Sequence, residues 1–242
     1  MKKLFVCAAA ILLCATSVFA QEGAWSFSIG TDAATQYMWR GYALSNTPTL
    51  TPTATLNFEK NDFSFELGYC SITELQREHY LEMDVWAAAS YKGITLMAQE
   101  YGCGNNLGIG GYSDNLELTL SYELPFEFLP LTLSWNTFVL GDDYNWDGDD
   151  AKRAFSSYAE ASLPYEFGNF SVCATAGAVP FRSDDMYETE GFKLVNLSLQ
   201  CGYNFSIGEN FSLPVYIQDT YNPLFKKNHV VLGCGLSYTF EL

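Results

Sequence analysis

Bases, histidines and metal-type cysteine pairs are all scarce in this 242-residue chain. It has 12 Lys and Arg against 28 Asp and Glu, only two His, and a formal net charge of −16 at pH 7. So few bases exclude nucleic acid as a partner, because gripping phosphate takes clustered Lys and Arg. Charged residues make up only 17 % of the chain, while aromatics reach 16 %; disordered chains show the opposite balance. Beyond residue 20 no apolar run approaches the roughly 20 residues of a spanning helix. No stretch there repeats with a helical period either. Cys70, Cys103, Cys173, Cys201 and Cys234 are widely spaced and form no C-x-x-C pair. They read as small strand residues, and their spacing specifies no disulfide. No phosphate-binding glycine loop is present; the glycines of Gly102 to Gly111 read as a loop.

What is there begins with a leader. Met1-Lys2-Lys3 is a short basic start, Leu4 to Ala15 an apolar run, and Val18-Phe19-Ala20 a cleavage site before Gln21. Residues 1–20 read as a secretory signal peptide. Leu13 before Cys14 argues against a lipoprotein, whose signals carry a small residue at that point. An exported, aromatic-rich chain without a spanning helix is either a soluble exported domain or an outer-membrane β-barrel.

Period-two alternation decides for the barrel. Val230, Leu232, Cys234, Leu236, Tyr238, Phe240 and Leu242 share one parity, and Gly233, Gly235, Ser237, Thr239 and Glu241 the other. In a strand these sets face opposite sides of the sheet. The pattern predicts strands near 24–42, 48–58, 63–72, 79–91, 94–103, 112–124, 130–140, 153–165, 169–181, 191–205, 211–221 and 229–242. The connections alternate between short and longer, as they do between the periplasmic and outer ends of bacterial barrels. The expected fold is all-β: an up-and-down antiparallel transmembrane β-barrel of about 12 strands over residues 21–242. Aromatics gather in two bands at the strand ends, as interfacial girdles do. One runs from Phe58 and Phe63 through Phe170 and Tyr203 to Phe240. The other includes Tyr37, Trp39, Tyr42, Tyr69, Tyr80, Tyr101, Tyr112, Phe138, Phe155, Phe181, Phe192 and Tyr221. Pro52 and Pro214 would bulge their strands. The aromatic last strand is the kind of signal the barrel-assembly machinery reads, although this chain ends in Leu242 rather than Phe.

The polar parity carries the candidate chemistry. Asp32, Arg40, Glu66, Glu82, Asp84, Glu117, Glu123 and Glu160 should face inward, because charge is costly on a lipid face. A lumen rich in carboxylates would concentrate cations; the same groups paired across the lumen would plug it. Arg40 has two readings: a structural ion pair or interfacial base, or a clamp on an inward carboxylate such as Asp32. Asp143, Asn145, Asp147 and Gly148 fit the front half of a calcium loop, with Asp149 beside them. The closing acid is missing, since Ala154 stands there, so a solvated acidic outer loop is the competing reading. Such loops would also meet divalent ions that bridge lipopolysaccharide. His79 and His229 fall at outer strand ends, with Asp219, Asp84 and Glu78 as candidate neighbours, but no hydrolase motif surrounds them.

One segment resembles a known family. Tyr37, Trp39, Arg40 and Gly41 match the Tyr-x-Trp-Arg-Gly signature that ends the first strand of the TorF-type porins, with Ser45 following at a plausible offset. The match spans roughly a dozen residues; the rest of the chain agrees in general style. The resemblance implies an outer-membrane barrel, a porin, with no established substrate; no catalytic residues are expected. The expectations are thus a cation-preferring channel in a Gram-negative outer membrane, a closed barrel whose acidic loops bind a partner or divalent cation, or, last, a barrel hydrolase.

Overall fold

In the computed structural model, which describes residues 23–76, 81–103, 113–126, 128–208 and 210–242, twelve antiparallel strands close into one barrel. The leader, Glu78, His79, Tyr80, Tyr112 and most of the glycine loop lie outside the described residues. In chain order the strands are β1 (Ala24–Ala34), the short β2 (Met38–Trp39) and β3 (Tyr42–Ala43), then β4 (Thr49–Lys60), β5 (Phe63–Glu74), β6 (Leu81–Tyr91), β7 (Ile94–Cys103), β8 (Ser113–Glu123) and β9 (Thr132–Leu140). There follow β10 (Tyr144–Asp147), β11 (Asp150–Arg153), β12 (Ser157–Phe167), β13 (Phe170–Val179), the single-turn helix α1 (Asp184–Tyr187), β14 (Lys193–Ile207), β15 (Phe211–Asn222) and β16 (Lys227–Glu241). The wall runs β1-β16-β15-β14-β13-β12-β9-β8-β7-β6-β5-β4 and back to β1; β2–β3 and β10–β11 are separate hairpins.

The start of β1 and the end of β16 lie together at the tight-turn end, where the Leu242 amide donates to the Trp25 carbonyl at 3.0 Å. Lys92 and Gly93 there have φ of 50° and 80°, the mirror-image turn that suits a two-residue hairpin. Among the described residues, the opposite end carries the longer loops 35–48, 141–156 and 180–192 and the short turn 223–226.

Alternation sorts the residues as a membrane barrel requires. Leu96 is 62 % exposed, and Leu120, Leu133, Leu199 and Leu232 are exposed with it on the outer surface. Serines, threonines, asparagines and glutamines fill the inner one. A belt of exposed leucines around a polar interior is the reverse of a soluble fold, and lipid is the solvent that suits it. Among the described side chains two acids break the outward pattern, Glu100 and Asp219, both near the loop ends of their strands; Asp219 accepts from Asn228 at 2.7 Å. Bulges fall in β8/β9 at Leu116/Glu117 and in β13/β14 at Gly177/Ala178. Pro52 and Pro214 cause none: both sit in strands whose register continues past them.

Two expectations change. The first strand stops at Ala34 rather than residue 42, and the segment that follows turns into the barrel. The aromatic bands also differ from each other. Most of the tight-turn band stands as expected, with Phe167, Phe170, Phe205 and Phe211 exposed around the rim, but Phe58 is buried against Trp25. The loop-end band splits. Tyr69, Phe155, Phe181, Phe192 and Tyr221 face out, whereas Trp39, Tyr42, Tyr101 and Phe138 join Tyr158, Val179, Tyr187 and Val195 in a packed core inside the barrel. Parity and strand position do not tell a girdle from a lumenal core, because both place aromatics at the same height.

Candidate functional site: the lumen and its plug

The plug is built on the first loop. Tyr37 turns the chain: its carbonyl accepts from the Leu44 amide at 3.0 Å, and its amide donates to Ser45 Oγ at 2.8 Å. Between them β2 and β3 pair, joined by Arg40 and Gly41 at φ of 50° and 88°. Both angles lie in the left-handed region, which glycine enters freely. Gly41 has a second reason to lack a side chain, since a Cβ there would collide with the Val195 carbonyl on the far wall. Asn222 Nδ2 donates to the Gly41 carbonyl at 3.1 Å.

Arg40 fastens the hairpin tip across the lumen. Its two terminal nitrogens donate to Glu117 at 2.6 and 2.7 Å in a bidentate fork. One of them also donates to the Tyr187 hydroxyl at 2.6 Å. The guanidinium lies 4.9 Å from the Trp39 ring centroid and 4.8 Å from that of Tyr158. Tyr101 adds a hydroxyl to Glu117 at 3.2 Å. The Glu117 side chain is 0 % exposed, so the pair is desolvated and fully partnered, the condition under which a buried ion pair offsets its desolvation cost. Trp39 stacks on Tyr187 at 5.3 Å with a 5° interplanar angle, and the Tyr42 hydroxyl donates to the Tyr187 carbonyl at 2.6 Å. Tyr187 comes from α1, so two loops meet inside the barrel. Arg40 therefore sits in a buried ion pair, the first of its two readings, and its partner is Glu117 and not Asp32.

The expected inward acids all occupy the inward parity, in distinct settings. Three are held by an aromatic donor that crosses a glycine. The Trp86 indole lies where a Cβ of Gly68 would stand and donates to Glu66. The Tyr216 ring covers Gly233 and donates to Asp32 at 2.8 Å. The Tyr158 ring covers Gly177 and donates to Glu160 at 2.6 Å. Glu82 accepts from the Tyr37 hydroxyl at 2.9 Å, and Asp84 from Gln99 at 3.0 Å. Glu123 is exposed at the tight-turn rim. The donors Trp86, Tyr101, Tyr158, Tyr187, Tyr216 and Asn222 are the residues that sequence reasoning missed. For Trp86, Tyr158 and Tyr216, glycines on the polar parity were the one visible trace.

Burial divides the lumen into two halves. Near the loops Asn115, Glu117, Thr119, Asn136, Asn196, Thr220 and Asn222 are buried under the plug. Toward the tight turns Thr53, Thr55, Ser121, Ser134, Ser162, Thr175 and Gln200 stay partly exposed.

The acidic loop forms the β10–β11 hairpin, with Gly148 at φ 67° in its turn. Its candidate ligands diverge. Asp143 is buried and accepts from the Ser156 amide at 2.9 Å and from its hydroxyl. Asn145 receives the Asp184 amide at 3.0 Å. Asp147 pairs with Arg182 at 2.8 Å and Lys152 at 3.2 Å. Asp149 is exposed. A metal ion here would first have to displace Arg182. That arginine also forks onto Asp184 at 2.9 and 2.7 Å, and the donors it supplies hold the Asp147 and Asp184 carboxyls below the usual range. No group of three or more metal-type side chains converges among the described residues.

His229 Nδ1 lies 3.2 Å from the Gln36 amide oxygen. It faces inward while Asp219 faces outward one register step away, so the two do not form a catalytic pair.

No family model matches the chain, and no curated protein matches it in sequence. Solved structures resemble it as barrels. A CymD monoaromatic hydrocarbon channel is 11 % identical over 96 % of this chain and 92 % of its own, with a TM-score of 0.46. The translocator domain of the autotransporter NalP from Neisseria meningitidis is 11 % identical over 98 % and 96 %, at 0.44. The P. putida toluene transporter TodX is 11 % identical over 94 % and 92 %, at 0.43. At these identities no residue correspondence follows.

Proposed function

We propose that this chain is an outer-membrane channel for passive diffusion of small solutes, cation-preferring, and narrowed on its outer side by the β2–β3 hairpin. The observation that carries the reading is the contrast between the two halves of the lumen. Wall side chains leave the tight-turn half open to solvent, whereas the loop half is closed by a hairpin inserted from a connection. A barrel built only to be solid would fill itself from its own wall, as small barrels do. Arg40 is already neutralised by Glu117, so Asp32, Glu66, Glu82, Asp84 and Glu160 would set a negative lumenal field. The match of Tyr37, Trp39, Arg40 and Gly41 to the TorF-type porins supports the same reading. The setting would be a Gram-negative outer membrane, among lipid and lipopolysaccharide, after removal of the leader. The mechanism is diffusion without turnover.

A second reading, a closed barrel that presents its acidic loops, is favoured by the density of the Arg40 and Trp39 contacts. Planar-bilayer recording under a KCl gradient separates the two. The channel reading expects discrete, cation-selective steps, several-fold larger when residues 37–44 are replaced by a short glycine-serine linker. A folded linker variant that stays silent would establish the closed barrel instead.

A further inference from the structure

Beside the plug lies a second feature, a cavity of about 310 Å³ between the hairpin stem and the wall strands β1, β4, β5, β6, β15 and β16. Asp32 and Asp84 both line it, with Ile72, Val231 and Met38 supplying apolar surface. No Lys or Arg is among its described lining residues. Asp84 is 3 % exposed, yet its Oδ1 has no hydrogen-bond partner among the described residues; Gln99 and the more distant Cys70 thiol approach only Oδ2. Asp32 also keeps capacity, since Tyr216 donates to Oδ2 alone. Buried charges are normally paired, so a carboxylate oxygen left without a donor, on a residue that lines a ligand-sized cavity, lacks part of its setting.

We propose that this cavity is a binding site for a small organic ammonium, its charged head on Asp84 and its short aliphatic chain against Ile72, Val231 and Met38. The apolar share of the lining distinguishes this ligand from a bare metal ion, which would gain nothing from those side chains. The ammonium supplies up to three donors, and Asp84 Oδ1 takes one. The inference deepens the channel reading and rests on it only for the route by which a solute arrives; the site itself needs no conduction.

The test is calorimetric titration of the folded barrel in detergent micelles, near neutral pH, with butylamine as probe. Butanol serves as the uncharged counterpart and KCl as the inorganic cation. The expected result is saturable one-to-one binding of butylamine, with none of butanol and no competition from equimolar KCl. Asp84→Asn should weaken it at least tenfold. Ile72→Trp, which fills the cavity and leaves both acids in place, should abolish it. Glu123→Gln at the tight-turn rim should leave it unchanged. Circular dichroism and heat-dependent gel mobility identify the folded variants. No binding to the folded wild type, binding insensitive to Asp84→Asn, or equal displacement by KCl would each overturn the site. Butylamine binding by a barrel silent in bilayers would retain the site and remove the channel. Conductance without binding would do the reverse.

Discussion

Arg40 and Glu117 are separated by most of the first half of the chain, yet they hold the plug shut by a bidentate pair. Truncating Arg40 leaves Glu117 buried without its counter-charge, which costs about 3–5 kcal/mol. Arg40→Ala should therefore release the hairpin, and urea titration with hydrogen exchange at Tyr37 and Leu44 should report that loss locally before the barrel melts. Arg40→Lys should not rescue it, because a point charge reproduces neither the fork nor the stacking between Trp39 and Tyr158. The aromatic-over-glycine contacts make a second residue-level prediction. Gly233→Val places a side chain where the Tyr216 ring lies, so Tyr216 must leave Asp32. Overpacking of this kind costs about 1–3 kcal/mol. The Tyr216 absorbance should shift toward that of a water-exposed phenol, whereas Gly191→Val, with open space around it, should leave it unchanged.

Strands were the most legible element, and for a physical reason. Lipid outside and water inside impose period two on every wall strand, so turns and faces could be read from leucines and threonines alone. The first loop obeyed a different constraint. Tyr37, Trp39 and Tyr42 continue an aromatic alternation that looks like more strand, and only the Arg40-Gly41 dipeptide marks a turn. That Glu117 is the partner could not be read, because an ion pair across a barrel depends on shear and not on spacing. The β10–β11 hairpin shows the same limit, since its acids suggested a cation until Arg182 was seen among them. Those contacts carry a pH prediction. Donors from Arg182, with Lys152 at Asp147 and the Trp146 amide at Asp184, lower both carboxyls in the folded state. Groups with lowered folded values contribute stability above their unfolded value, about 3.9 for Asp, and lose it as pH falls through the lower folded one. The hairpin should therefore undock from α1 below about pH 4 while the barrel persists. Fluorine resonance from labelled Trp146, whose indole donates to Asp185 at 2.8 Å, can follow it. Arg182→Gln should move the transition to higher pH.

The molecule as a whole carries −16 and turns Asp32, Glu66, Glu82, Asp84 and Glu160 inward, so in the proposed channel selectivity and salt should be coupled. The field of a solvated lumen is screened over about 10 Å at 0.1 M salt and about 3 Å at 1 M. A pore whose preference arises from Glu66, Glu82 and Glu160 along the wall should lose most of its cation selectivity between those concentrations. The plug contributes otherwise. Its charges are desolvated and already paired, so ions in bulk barely screen them, and in the proposed channel it would act by size. Reversal potentials at matched tenfold gradients, one set near 0.1 M and one near 1 M, separate the two contributions. Falling selectivity with single-channel steps that scale simply with salt concentration would assign ion preference to the open half of the lumen and throughput to the hairpin. Under that division Glu66→Gln should lower selectivity at low salt without altering step size, because Glu66 lies on the solvated wall and Trp86 is its partner there. Removal of the hairpin should enlarge the steps and leave the sign of selectivity as it was. If both variants instead changed both quantities together, wall and plug would form one constriction, and the two halves that burial distinguishes would act as a single filter.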